Sequence, residues 1–270
     1  MQGLEEMSCV EKDKVVGAAP AGAADRDAAS KAVREMFTAI APRYDLLNHV
    51  LSLNVDRMWW WRTARRFDAI LIRPGARVLD LCCGTGDMAF ALQRRMGSTN
   101  RLQIVGTDFS HAMLQRAVVK GNGSASSRKT EQAPSLRWIE ADALRLPFPD
   151  RHFDLLTSAF GFRNLADYDA GLREILRVLA PGGECGILDF GEPRGLIGSV
   201  YRIYFKNVLP KIGTLISGVR GPYAYLPASV ERFPAPEEML TRMKQAGFAD
   251  VSWTPYTFGV AGLFWGKKIG

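Results

Sequence analysis

Val78-Leu79-Asp80-Leu81-Cys82-Cys83-Gly84-Thr85-Gly86-Asp87 decides how this chain is read. A short apolar run ends in an acid, a glycine turn follows, and the spacing from Met88 to Met96 predicts a helix. Glycine reaches backbone angles closed to other residues and lets a ligand approach the main chain. Cys82 stands where such turns commonly carry a first glycine. Gly84-x-Gly86-x-x-Ala89 keeps a dinucleotide-binding turn open at this point, beside a plain tight turn.

The neighbouring chain repeats the theme. Leu102–Thr107 predicts a second strand and Ala112–Lys120 a second helix. Residues 121–135 are polar and rich in glycine and serine, as in an exposed loop. Strands are predicted at Leu136–Glu140, Phe153–Ser158 and Gly183–Phe190, with a helix at Asp169–Leu179. Short apolar strands alternating with amphipathic helices imply an α/β fold, a parallel sheet covered by helices on both faces. Upstream, Val33, Met36, Phe37 and Ile40 have helical spacing, and Asp56–Leu71 predicts a further helix with three tryptophans. Downstream, residues 195–234 break the alternation with aromatics, bases and prolines. A helix at Glu237–Ala246 and strands at Val251–Trp253 and Tyr256–Lys267 close the chain.

The expected organisation is a disordered tail over 1–30 and a single domain over 31–270. Within it, 31–72 are N-terminal helices, 73–190 a ligand-binding core, 191–234 a lid or cap, and 235–270 the final helix and strands. The 270 residues are 47% hydrophobic and 23% charged, an ordinary globular composition. No apolar run approaches the ~18 residues of a transmembrane helix. Four cysteines make no disulfide framework, and no His, Cys and acid cluster has metal-ligand spacing, so no metal is expected. A reduced, cytoplasmic setting follows. The net charge of +7 is uneven: residues 1–30 hold three bases and six acids, which leaves the rest at +10. A basic body suits an acidic partner, or serves solubility alone.

Acids punctuate the strand ends: Asp80 after the first, Asp108 after the second, Asp142 after the third. An acid after the second strand suits the two hydroxyls of a ribose. The three acids and the Pro181-Gly182-Gly183 turn before the fifth strand resemble class I S-adenosylmethionine-dependent methyltransferases, a Rossmann-like fold.

A closer resemblance lies outside the core. Tyr44-Asp45-Leu46-Leu47-Asn48-His49-Val50-Leu51-Ser52 with Trp59, and Arg177-Val178-Leu179-Ala180-Pro181-Gly182-Gly183, look like the two signatures of the ubiquinone/menaquinone biosynthesis C-methyltransferases (UbiE/MenG). Phe160-Gly161-Phe162-Arg163-Asn164 resembles that family's Phe-Gly-x-Arg-Asn stretch, and the likeness runs from about Val33 to Lys267. The chain departs from the family at Leu47, Asp56, Ala159, Ala180, Asp189 and Gly191. The resemblance implies methyl transfer from S-adenosylmethionine to a ring carbon of a prenylated quinol. The Cys-Cys-Gly-Thr-Gly loop resembles that of menaquinone-pathway members, which implies demethylmenaquinol rather than a benzoquinol of ubiquinone biosynthesis.

It also implies site residues. Thr85, Asp108, Asp142 and Ala143 match positions that hold the sulfonium cofactor. Asp80 would fix the loop, with Gly84 and Gly86 giving it backbone access, and Tyr44 could close over the methionine end. Deprotonating a quinol hydroxyl activates the adjacent carbon, so a base and an oxyanion donor are needed. Arg163 and Asn164 are the candidate donors, with Arg163 alternatively pairing with an acid to order its loop. Asp45 and His49 are the candidate bases.

A lipid-tailed acceptor implies peripheral contact with the inner face of the cell membrane. Residues 195–220 carry Arg202, Lys206, Lys211 and Arg220 among many apolar residues and no acid, which suits an interfacial segment or a lid. A homo-oligomer is compatible with the chain. Trp59-Trp60-Trp61-Arg62 invites a nucleic-acid reading, but the Asn-Pro-Pro-Tyr and Pro-Cys motifs of nucleic-acid methyltransferases are absent, so no nucleic-acid partner is expected. Another small-molecule O- or N-methyltransferase and an inactive cofactor-binding scaffold stay open.

Overall fold

The structure, a computed structural model, describes residues 17, 18, 20, 23–45, 52, 54–96, 103–125, 135–191, 193 and 222–270. Seven strands form one sheet in the order β3-β2-β1-β4-β5-β7-β6. They are β1 (Arg77–Leu81), β2 (Gln103–Asp108), β3 (Ser135–Glu140), β4 (Phe153–Ala159), β5 (Leu179–Phe190), β6 (Phe248–Tyr256) and β7 (Ala261–Lys268). The helices are α1 (Arg26–Ile40), α2 (Val55–Arg66), α3 (Asp68–Leu71), α4 (Asp87–Arg95), α5 (His111–Ala125), α6 (Tyr168–Val178), α7 (Pro222–Arg232) and α8 (Pro236–Ala246).

Period-two alternation builds two cores. Leu79, Leu156 and Ile187 point to the face covered by Leu172 and Ile175 of α6 and Met239 and Met243 of α8. Their neighbours Val78, Leu155 and Leu188 point to the other face, under Trp59, Ala64, Met88 and Leu92 of α2 and α4. Each such buried aliphatic contributes ~1.5–3 kcal/mol, so both faces are held by burial.

Strands β1 to β5 are parallel, as the alternation predicts. The edge differs: β7 lies antiparallel to both β5 and β6. The expected final strand at Tyr256–Lys267 is split by a turn at Thr257–Gly259, and so short a link can only return antiparallel. The ordered chain also starts ahead of the expected boundary near Lys31. Asp25 caps α1 by accepting from the Ala28 N–H at 2.8 Å, and Gly17 and Ala18 donate to the Ala166 and Leu165 carbonyls at 3.0 and 2.7 Å. The small residues at 17–18 allow that close approach, since a Cβ on Gly17 would sit 2.0 Å from the Leu165 oxygen.

The expected lid at 191–234 falls mostly outside the described residues. Its last part is α7, with Pro222 at the first helical position and Pro227 inside the helix. The chain runs outward from β1 through β2 to β3, then returns to place β4 on the other side of β1. Ligands of open α/β sheets bind beyond the strand ends at that reversal.

Candidate active site

The glycine turn follows β1 at the reversal. Cys82, Gly84 and Gly86 have φ of 52°, 53° and 88°. Cys82 therefore occupies left-handed backbone that favours glycine, at a cost of ~1–2 kcal/mol. A Cβ on Gly86 would lie 2.5 Å from the Trp138 ring, so that glycine makes room for packing behind the turn. A Cβ on Gly84 would meet only the Tyr44 ring, at 3.8 Å, so its backbone faces open space.

That space is a cavity of about 970 Å³ including its open mouth. Tyr44, Asp80, Gly84, Thr85, Asp108, Asp142, Ala143 and Asn164, all named as candidates from the sequence, line it. Trp60, Phe160, Gly161 and Phe37 line it as well. Among its described lining residues are four carboxylates, Asp80, Asp87, Asp108 and Asp142, and no lysine, arginine or histidine.

The acids are held differently. Asp108 accepts from the Gly84 and Ser110 N–H groups, both at 2.9 Å, and burial raises its pKa to about 6 despite those bonds. Asp80 is fully buried and accepts from the Thr157 hydroxyl at 2.8 Å; the Ala89 N–H also favours its carboxylate, while Oδ2 makes no hydrogen bond of normal length. Burial raises its pKa to about 7. Asp142 is exposed and turns its own loop by accepting from the Leu144 N–H at 2.9 Å. Burial pushes the Cys82 and Cys83 thiols well above their ordinary range, so neither is a nucleophile near neutrality.

A model of the ubiE/COQ5 methyltransferase family matches residues 25–268. The chain belongs to the ubiE/COQ5 methyltransferase family. It is 48% identical over 245 residues to the demethylmenaquinone methyltransferase of Deinococcus radiodurans, covering 90% of this chain and 95% of that one. It is also 48% identical over 236 residues to the demethylmenaquinone methyltransferase of Thermus thermophilus, covering 86% of this chain and 100% of that one. Among solved structures, the [4+2]-cyclase SpnF superimposes with a TM-score of 0.61 at 19% identity, covering 89% of this chain and 97% of that one. A SAM-dependent methyltransferase from Aquifex aeolicus gives 0.54 at 17%, covering 77% and 89%. These two likenesses concern the fold. This ubiE/COQ5 methyltransferase is an S-adenosylmethionine-dependent C-methyltransferase.

The cavity fits that cofactor. A sulfonium and an ammonium are cations, and the described walls present acids with no competing base. Asp80 Oδ2, which makes no hydrogen bond of normal length, and the open backbone at Gly84 leave a place for polar contact.

Other expected residues of this ubiE/COQ5 methyltransferase lie elsewhere. Arg163 does not line the cavity. It is buried, with Nη1 2.9 Å from Asp189 Oδ1, a second bond to the Phe160 carbonyl, and its guanidinium over the Phe190 ring at 5.0 Å. Its own N–H donates to Asp189 Oδ2 at 3.0 Å. The alternative weighed from sequence, an arginine that pairs with an acid and orders its loop, is the arrangement present. Asn164 does face the cavity, and Tyr225 of α7 donates to its Oδ1 at 3.2 Å.

Asp45 is also displaced from the expected role. It accepts from the Thr85 hydroxyl at 2.5 Å and pairs with Lys120 at 2.9 Å, outside the cavity. Lys120 also reaches Asp87 at 2.9 Å. The Thr85 hydroxyl is thus spent on a clasp that brings Tyr44 over the glycine turn. His49 lies outside the described residues.

Sequence reasoning missed Lys120 and the function of Asp189. Lys120 ends an amphipathic run with no motif around it. Asp189 did carry a signal, an acid closing the apolar run Gly186-Ile187-Leu188 just as Asp80 and Asp108 close theirs. No group of three or more His, Cys, Asp or Glu side chains among the described residues is arranged to hold a metal.

Proposed function

We infer that this protein methylates demethylmenaquinol on carbon, with S-adenosylmethionine as donor, in menaquinone biosynthesis. The observation that carries the reading is the cavity at the β1/β4 reversal, lined by acids and, among the described residues, by no base, in a chain 48% identical to two demethylmenaquinone methyltransferases.

The cofactor supplies an electrophilic methyl group. Asp108 would take the ribose hydroxyls, while its bonds to Gly84 and Ser110 fix its carboxylate. Asp142, Ala143 and the Gly84 backbone would help hold the cofactor, and Gly86 shapes the turn from behind. Asp80 would offset the cofactor's positive charge, and Tyr44 would close the site over it. Trp60, Phe160 and Phe37 give the aromatic acceptor an apolar wall.

On that wall Asn164 is a polar side chain with an N–H to offer. Oδ1 accepts from Tyr225 and one amide hydrogen goes to the Phe160 carbonyl at 3.4 Å, so the second amide hydrogen is the one that would donate to the oxygen that gains charge as the ring carbon attacks. Arg163 acts through Asn164, as a positioning residue: its pair with Asp189 fixes the Phe160–Asn164 turn. Among the candidate bases Asp45 is committed to Lys120 and Thr85, which leaves proton acceptance to a water or to His49.

A prenyl-tailed substrate brings the enzyme to a membrane surface as a peripheral protein. No described helix is long and apolar enough to cross a membrane. The expected interfacial segment at 195–220 lies outside the described residues.

The test supplies methyl-labelled S-adenosylmethionine with demethylmenaquinol, with a benzoquinol as comparator. The expected product is menaquinol labelled on its ring carbon. Label on an oxygen, or preference for the benzoquinol, would overturn the assignment.

A further inference from the structure

One surface of α2 serves neither the cavity nor the cores. The helix buries Asp56, Trp59, Trp60, Thr63 and Ala64, and its only acid, Asp56, is among them. Met58, Trp61 and Arg65, at spacings of three and four, stand on the opposite ridge, with Met58 44% and Trp61 47% exposed. Arg57, Arg62 and Arg66 flank them. The Arg65 guanidinium lies over the Trp61 ring at 5.3 Å.

The turn between β6 and β7 extends this face. Trp59 Nε1 donates to Thr257 Oγ1 at 2.8 Å, and the Arg62 guanidinium stacks over Tyr256 at 4.3 Å. Between these anchors and the start of β7, Phe258 is 78% exposed at a φ of 58°. A bulky residue in left-handed backbone, turned outward, is a costly arrangement that the fold nonetheless keeps.

We propose that this face, formed by α2 and the β6–β7 turn, rests on an anionic bilayer. The proposal rests on the prenylated-quinol reading and assigns its membrane contact to described residues. Exposed tryptophan, methionine and phenylalanine suit the headgroup level, where an aromatic body is apolar on one side and wet on the other. Arginines around them complement lipid phosphate. A nucleic-acid groove would track phosphates with bases alone and stack its aromatics inward. Here Met58, Trp61 and Phe258 stand out at the crest beside Arg65, and Arg57, Arg62 and Arg66 form the flanks. The same helix lines the cavity with Trp60, while Trp59 packs on Phe160 at 5.7 Å, so the docked helix is also a wall of the active site.

The test is flotation of the full chain with phosphatidylcholine vesicles, with and without added phosphatidylglycerol. Variants are Trp61→Ser, Arg57→Gln with Arg65→Gln, and Phe258→Asn, the last keeping a residue that accepts left-handed backbone. Arg62 and Arg66 are left intact because they stack on Tyr256 and Trp265. The expected results are binding that needs the anionic lipid and is lost in high salt. Partition should fall roughly five-fold per arginine removed. Methyl transfer to a short-tailed quinol in solution should be unchanged in every variant. Variants that bind as wild type would overturn the proposal. So would a wild-type chain that ignores vesicles and instead binds single-stranded nucleic acid, or forms dimers that Trp61→Ser dissolves. Vesicle binding without transfer to any quinol would fault the quinol reading and leave the docking surface standing.

Discussion

Asp80 should make the cofactor-free protein less stable as pH rises, and Asp80→Asn should remove that dependence. The carboxyl is fully buried, and burial lifts its pKa from 3.8 to about 7. An acid whose pKa is raised by folding binds its proton more tightly in the native state. Its favourable contribution is complete below pH ~4 and is lost as pH climbs through about 7. At 1.36 kcal/mol per unit, the loss is roughly 1–2 kcal/mol by pH 5 and roughly 4 kcal/mol by pH 8. Asparagine keeps an oxygen for Thr157 but leaves a buried N–H where Oδ2 stood, a constant penalty of ~1–3 kcal/mol. The pH-dependent part is free of that penalty. Urea unfolding of both proteins at pH 5 and pH 8 should show the variant gaining roughly 2–3 kcal/mol on wild type between the two. Asp108, raised to about 6, shifts both proteins in the same direction. Cofactor affinity should also rise with pH in wild type, because a cation favours the ionised carboxylate, and stay flatter in the variant. An unchanged stability difference at the two pH values would refute the account of Asp80.

Three further outcomes are expected. Arg163→Met leaves Asp189 buried without its counter-charge and should cost ~3–5 kcal/mol in urea unfolding. Adding Asp189→Asn should recover part of that loss, which removal of a purely substrate-contacting group would not permit. Lys120→Met releases Asp45 and should weaken S-adenosylmethionine binding by roughly five- to ten-fold in calorimetry, since a half-buried pair contributes ~1 kcal/mol. Cys82→Gly relieves left-handed strain of ~1–2 kcal/mol and should retain the wild-type melting temperature and cofactor affinity, unlike most truncations of a packed cysteine.

The parts of the fold that obey local periodicity were legible in the sequence. β1, β2 and β4 were readable within a residue or two because each is a short apolar run ending in an acid or a turn. The cavity-lining residues at the strand ends followed, since a strand's C-terminal end is where an α/β sheet presents its ligands. What pairs across the fold was not legible. Arg163 and Asp189 lie 26 positions apart and meet only because β4 and β5 are neighbours. Lys120 reaches Asp45 from α5, across the gap between two segments with no shared motif. The antiparallel β7 depends on the length of the turn before it, which a continuous run of strand-forming residues from Tyr256 conceals. The start of α1 was masked by its alanines, whose small size reads as a tail yet permits close packing at Ala29.

The central claim is that a ring carbon made nucleophilic by its neighbouring hydroxyl receives the methyl group. Transfer of labelled methyl should therefore be compared, anaerobically, for demethylmenaquinol and for its oxidised quinone. The account predicts label in the reduced acceptor alone, with S-adenosylmethionine bound equally in both reactions. Equal labelling of the quinone, or cofactor binding with label in neither, would contradict it.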